Sequence, residues 1–166
     1  MISAETVAHT WRQMSVMPDD QALQLVQRMS NEQPLIFVYL LEVNRHRCLN
    51  EREGQLCFYV GLVVWQIMMR SPKRMRKVTQ AKLKQAEQVN EEFLDLLAID
   101  AQADFFSEMK MMLENSPEPE VLGCIMKLLM DDVGYHPDDP PISDENRGLA
   151  FLHLKVILDA FMGSMG

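Results

Sequence analysis

The densest group of chemically active side chains in this sequence is a run of cations between residues 70 and 84. It contains seven of the 16 basic residues: Arg70, Lys73, Arg74, Arg76, Lys77, Lys82 and Lys84. Clustered guanidinium and ammonium groups attract phosphates or acidic protein surfaces. No aromatic residue interleaves with them to stack on bases, which weakens the case for single-stranded nucleic acid. The run predicts a partner-binding surface made of Arg70, Lys73, Arg74, Arg76, Lys77 and Lys84, although a plain solvated helix face is the simpler interpretation.

Carboxylates at helical spacing form a second group of candidate ligands. Glu87, Glu91 and Asp95 are four residues apart, as are Glu42 and His46. Two-metal sites in helical bundles use paired Glu-x-x-His motifs, in which the ligands are three residues apart. No such motif is present, so we expect surface carboxylates and helix capping here.

The segment 134–142 is rich in proline and aspartate. Its His136, Asp138 and Asp139, with Asp144 and Glu145 just beyond, could supply nitrogen and oxygen ligands. The spacing of an EF-hand is absent, and a loop of this length is more often a connector or an interaction element. We therefore predict neither a metal nor a cofactor.

Nucleophilic chemistry has little support in the sequence. Gly-x-Ser-x-Gly does not occur, and the three cysteines, Cys48, Cys57 and Cys124, have no Cys-x-x-Cys spacing. Reduced and mostly buried thiols are expected, as in a cytosolic protein. The sequence predicts no catalytic residue.

One short run resembles a known family. His153-Leu154-Lys155 is similar to the His-x-Leu-Lys-Gly run of histidine phosphotransfer domains, which are helical bundles with an exposed phospho-accepting histidine. The Leu is displaced by one position, and Val156 replaces the Gly. A histidine at the edge of the core is the favoured interpretation.

Helices must position all of these groups, since caps and 3.6-residue apolar stripes recur along the chain. Asp19 is predicted to cap the second helix, and Asn50 with Glu53 has the spacing of a capping box. Ser143 is predicted to cap the last helix, which ends before Gly163. The predicted fold is all-α, with about eight helices packed as antiparallel hairpins in an irregular bundle or a short helical-repeat-like array.

Three segments have special predicted roles. The helices starting at Pro34 and near Asn50 are apolar on nearly every side and should be central. Gly54 and Gly61 should lie where a neighbouring helix comes close. The longest helix is predicted over residues 72–98, with 70–88 as a basic half that is exposed or projects from the bundle.

Composition indicates one folded domain over residues 1–166. With 48% hydrophobic and 24% charged residues, the chain resembles globular proteins rather than disordered ones. The start shows no secretory signal pattern, and the apolar stretch 56–69 is shorter than the roughly 20 residues that a membrane span needs. We expect a cytoplasmic protein that does not enter membranes.

Charge and methionine content favour an interaction protein. Residues 1–84 hold 12 basic and 7 acidic side chains, a net charge of +5, whereas residues 85–166 hold 4 and 17, a net charge of −13. An overall charge of −8 disfavours general binding to nucleic acid.

Of the 14 methionines, five cannot all be buried, and such flexible side chains suit surfaces that accept a partner helix: Met68, Met69, Met75, Met111 and Met112.

The sequence thus predicts a non-enzymatic helical adaptor that binds another protein or itself, including as a homodimer. The alternative is a small regulator that binds nucleic acid through residues 70–84.

Overall fold

Eight α-helices make up most of the described chain. The computed structural model describes residues 1–46, 49–99, 105–131, 138 and 142–166. In chain order the helices are α1 (Ala4–Ser15), α2 (Asp19–Glu32), α3 (Pro34–His46), α4 (Glu51–Met68), α5 (Gln80–Ile99), α6 (Phe105–Asn115), α7 (Pro119–Met130) and α8 (Asp144–Gly163). Within these ranges the extended pairing is limited to an isolated antiparallel bridge between Met75 and Met165. The all-α prediction is confirmed.

The core is built around α4 and α8. Helix α4 packs against α1, α3, α7 and α8, while α8 also packs against α5 and α7. Their largest fully buried side chains are Trp65, Phe151 and Phe161. A helix that is apolar on nearly every side must be surrounded by others, as predicted for α4. Helix α3 is less central than predicted, because Val38 and Leu41 are exposed.

Helices α3 and α4 form a closely packed hairpin. A Cβ placed on Gly61 would lie only 2.8 Å from Cδ1 of Leu40, which is buried in the core. Non-bonded carbon atoms prefer a separation of about 3.5–4.0 Å. The predicted close approach of a neighbouring helix is therefore confirmed at Gly61.

Two of the three predicted helix caps are present. The Glu53 N–H donates to Oδ1 of Asn50 at 2.8 Å, and the Asn50 N–H donates to Oε1 of Glu53 at 2.9 Å, which completes the capping box. Ser143 Oγ accepts the Asn146 N–H at 3.2 Å at the start of α8. Asp19 is instead the first residue inside α2, where no side chain caps the helix and its charge faces the positive helix start.

No described helix is both long enough and apolar enough to cross a membrane. Most of the segment 134–142 lies outside the described residues, as does Cys48. Predictions that concern those positions stay predictions.

Candidate interaction site

The basic segment, residues 70–84, does not form one helix. The helix predicted over 72–98 begins only at Gln80, and the chain before it forms a bend and an extended stretch. Thr79 defines the boundary, because its Oγ1 accepts the Lys82 N–H at 3.2 Å. A threonine in this position is a recognised N-cap, and it is the sequence signal that the prediction missed.

The extended stretch is paired with the end of the chain. The Arg76 N–H donates to the Ser164 carbonyl at 2.9 Å, and the Gly166 N–H donates to the Arg74 carbonyl at 3.1 Å. Met75, between the two arginines, packs against the hydrophobic core. The segment is thus attached to the bundle, and α5 lies along α8, while its cations are exposed.

A buried glutamine fixes the same stretch from the other side. Gln33 is only 4% exposed, and its Nε2 donates to the Arg76 carbonyl at 3.1 Å. Its Oε1 accepts the Val78 N–H at 2.9 Å, and Val78 itself is 2% exposed. Both ends of the side-chain amide are thus satisfied by the backbone of the basic segment. This contact sets the path of the chain before α5.

The cations of the basic segment are all exposed: Arg70, Lys73, Arg74, Arg76, Lys77, Lys82 and Lys84. Within the part of the chain that the structure describes, none of them forms an ion pair with a carboxylate. Arg70 donates to the side-chain oxygen of Gln13. Lys73 and Lys77 precede the helix, so these two do not share a helix face with Lys84. The segment presents uncompensated positive charge on a fixed backbone.

An apolar groove adjoins the basic segment, and the sequence analysis did not locate it. It lies between α5, α6 and α8 and has a volume of about 560 Å³. Val89 is 61% exposed and Met111 is 55% exposed, although both are large apolar side chains. The apolar lining consists of Ala86, Val89, Phe93, Met111, Met112 and Met162.

The polar groups on the α8 side of the groove are paired with one another. Lys155 Nζ lies 2.7 Å from Oδ2 of Asp159, and the same oxygen accepts a hydrogen bond from Nδ2 of Asn90 at 2.8 Å. Nδ2 of Asn90 also donates to the Ala86 carbonyl. Because these charges already compensate each other, the groove is mainly an apolar surface.

The five methionines named in the sequence analysis differ in burial. Met68 and Met112 are buried, Met75 is half-buried, and Met69 and Met111 are exposed. The expectation that these five could not all lie inside is confirmed. Two of them, Met111 and Met112, line the groove.

The candidate metal ligands do not converge among the described residues. Glu42, Glu87, Glu91 and Asp95 are exposed, and the described residues contain no group of three or more His, Cys, Asp or Glu side chains able to hold an ion. The side chains of His46 and Asp144 are not described, and His136 and Asp139 lie outside the described residues.

Two described thiols are poorly suited to nucleophilic chemistry. Burial raises the pKa of Cys57 to about 12 and that of Cys124 to about 11. Both are free cysteines. Since the thiolate is the nucleophile, protonated thiols at neutral pH are unreactive.

His153 is a core residue rather than an exposed phospho-acceptor. It is 1% exposed, and its Nδ1 forms a 2.8 Å hydrogen bond with the Tyr39 hydroxyl. The two rings also contact each other edge to face. This position contradicts the arrangement that the resemblance to phosphotransfer domains implies.

No family model, curated protein or solved structure matches this chain. A helical bundle by itself does not define a function, because one fold can carry many different sites. The function must therefore be argued from the basic segment and the groove.

Proposed function

We propose that this chain is a non-enzymatic helical interaction module that binds an acidic surface of another protein through its basic segment. The observation that carries the proposal is the set of seven exposed cations, none of them ion-paired within the described residues. The backbone around Arg74 and Arg76, in the middle of the segment, is held by Gln33 and by the end of the chain. A fixed surface loses less conformational entropy on binding than a mobile one.

Local charge dominates over net charge at this surface. The Debye length is about 8 Å at physiological ionic strength, so more distant acidic residues are largely screened from a partner at the segment. We expect the segment to select partners whose acidic groups match it closely, with electrostatic attraction raising the association rate.

Nucleic acid is the second candidate for the same cations. Phosphates would fit them, but residues 70–84 contain no aromatic side chain that could stack on a base. A second copy of the chain is a third candidate, because residues 85–166 carry a net charge of −13. The buried free thiols support a reducing, cytoplasmic setting, which we also propose.

Charge reversal in the basic segment tests the proposal. The reversal variant carries Arg74→Glu, Arg76→Glu and Lys77→Glu. A matched control variant makes the same change in net charge at exposed cations elsewhere and carries Arg12→Glu, Lys110→Glu and Lys127→Glu. Binding to fluorescent poly-L-glutamate and to single- and double-stranded oligonucleotides is measured by anisotropy at about 50 and 150 mM salt. Thermal unfolding of each variant checks that the fold is kept.

The wild type and the control variant are expected to bind poly-L-glutamate, and the reversal variant should bind at least about tenfold more weakly. Oligonucleotides that bind more tightly than poly-L-glutamate at the higher salt would overturn the proposal in favour of the nucleic-acid function. A wild type that binds none of the probes would also refute it. Light scattering that shows a dimer dissociated only by the reversal variant would identify a second copy as the partner.

A further inference from the structure

We infer that the groove between α5, α6 and α8 receives an amphipathic helix of the partner, with acidic residues at the end that meets Lys82. This inference rests on the proposed function and identifies the kind of segment that the partner supplies. An apolar groove that takes one face of a helix is a common mode of peptide recognition.

The length of the groove fits a short helix. Along α5 its lining extends from Lys82 to Phe93, which are eleven residues apart. At a rise of about 1.5 Å per residue this corresponds to roughly 16 Å, or three helical turns. A partner helix of that length presents apolar anchors at positions i, i+3 or i+4, and i+7 on one face.

The groove surface is suited to an apolar helix face. Val89 on α5 and Met111 on α6 are the most exposed of its large apolar residues, and docking would remove them from water. Three of the apolar lining residues are methionines, whose flexible side chains adapt to a partner. The Lys155–Asp159 pair is already satisfied, so a partner need not supply a charge there.

Charge complementarity selects acidic residues at the Lys82 end of the partner helix only, because the rest of the lining includes Glu108 and the neutralised Lys155–Asp159 pair. Lys82 belongs both to the groove lining and to the basic segment. A Cβ on Gly163 would lie 3.6 Å from Cδ of Lys82, and the residues just after Gly163 pair with the Arg74–Arg76 backbone. The exposed cations are thus continuous with one end of the groove. A helix in the groove that carries acidic residues at this end contacts both surfaces at once.

A designed peptide provides the probe. It is a fluorescent 16-residue peptide with leucine at positions i, i+4, i+7 and i+11, three glutamates at one end, and alanine and glutamine elsewhere to favour a helix. A control peptide of the same composition keeps the glutamates at that end and has the leucines scrambled off one face. The groove variant carries Val89→Gln and Met111→Gln, neutral changes at exposed positions that leave the basic segment intact. A matched control variant carries the same change at two exposed apolar residues away from the groove, Leu23→Gln and Val38→Gln.

The wild type and the control variant are expected to bind the amphipathic peptide at least about tenfold more tightly than the scrambled one, and the groove variant should lose this difference. The groove variant should still bind poly-L-glutamate as the wild type does. A different result would overturn the groove inference and leave the proposed function standing. In that result the wild type and the groove variant bind both peptides equally, and the reversal variant binds neither.

Two further outcomes would contradict the inference, one concerning the acidic end of the partner helix and the other a second copy of the chain in the groove. If the reversal variant retains full affinity for the amphipathic peptide while the groove variant loses it, the contact between the acidic end of the partner helix and the Arg74–Lys77 stretch is refuted. The proposed function is decided separately, by whether the reversal variant loses affinity for poly-L-glutamate. A concentration-dependent dimer that the groove variant dissociates would show that the groove is covered by a second copy, contrary to the inference.

Discussion

Replacing Gly61 by alanine tests how closely α3 and α4 approach. Alanine in a helix interior is favoured over glycine by about 1 kcal/mol. At Gly61, however, the new methyl group would lie 2.8 Å and 3.0 Å from the two δ carbons of Leu40, so this side chain, which is 1% exposed, must shift within the packed core. Overpacking of this kind costs about 1–3 kcal/mol. The net effect expected for Gly61→Ala is therefore between no change and a loss of about 2 kcal/mol.

Gly61→Ala should stabilise the protein once the Leu40 side chain is shortened. Leu40→Ala alone is expected to lower the free energy of unfolding by about 2–5 kcal/mol. In that background Gly61→Ala meets no clash, so the gain in helix propensity of about 1 kcal/mol should be recovered. The coupling between the two positions is thus expected to be about 1–3 kcal/mol.

Urea denaturation of the two single variants and the double variant measures this coupling. Gly123→Ala is the control, because a Cβ there would lie 3.9 Å from Cδ2 of Leu113, an ordinary van der Waals contact. It should stabilise the protein by about 1 kcal/mol. If Gly61→Ala stabilised both backgrounds equally, by as much as the control, the close packing of α3 on α4 would be refuted.

Three further changes have defined outcomes. Gln33→Ala leaves the buried Val78 N–H unpaired and should cost about 1–3 kcal/mol in urea denaturation, while hydrogen exchange at that amide becomes faster. Burial raises the pKa of Cys57 from 9.0 to about 12, so the folded state holds the thiol proton more tightly than the unfolded state does. The free energy of unfolding should therefore fall as the pH rises from 9 towards 12. In Cys57→Ala it should fall less steeply. Asn146→Ala removes a donor that lies 3.0 Å from each Glu53 carboxylate oxygen and should lower the melting temperature, whereas an unchanged value would contradict the contact.

Several features of the fold were determined by local sequence. The capping box of Asn50 and Glu53 and the cap at Ser143 need only residues three positions apart, so the pattern alone predicts them. The nearly uniform apolar composition of α4 requires a central helix. The list of cations in the basic segment is likewise a property of the sequence.

The shape of the candidate site was decided by tertiary contacts. The stretch before α5 is extended because its backbone pairs with Ser164 and Gly166 and with the side chain of Gln33, all more than 40 residues away. The groove exists because α5 packs on α8 and α6 packs on α7, while Val89 and Met111 are left uncovered between them. Helical periodicity reports which face of one helix is apolar, but not which neighbour covers that face. Contacts between residues far apart in the chain determine which helices pack together, and these contacts leave no local pattern in the sequence.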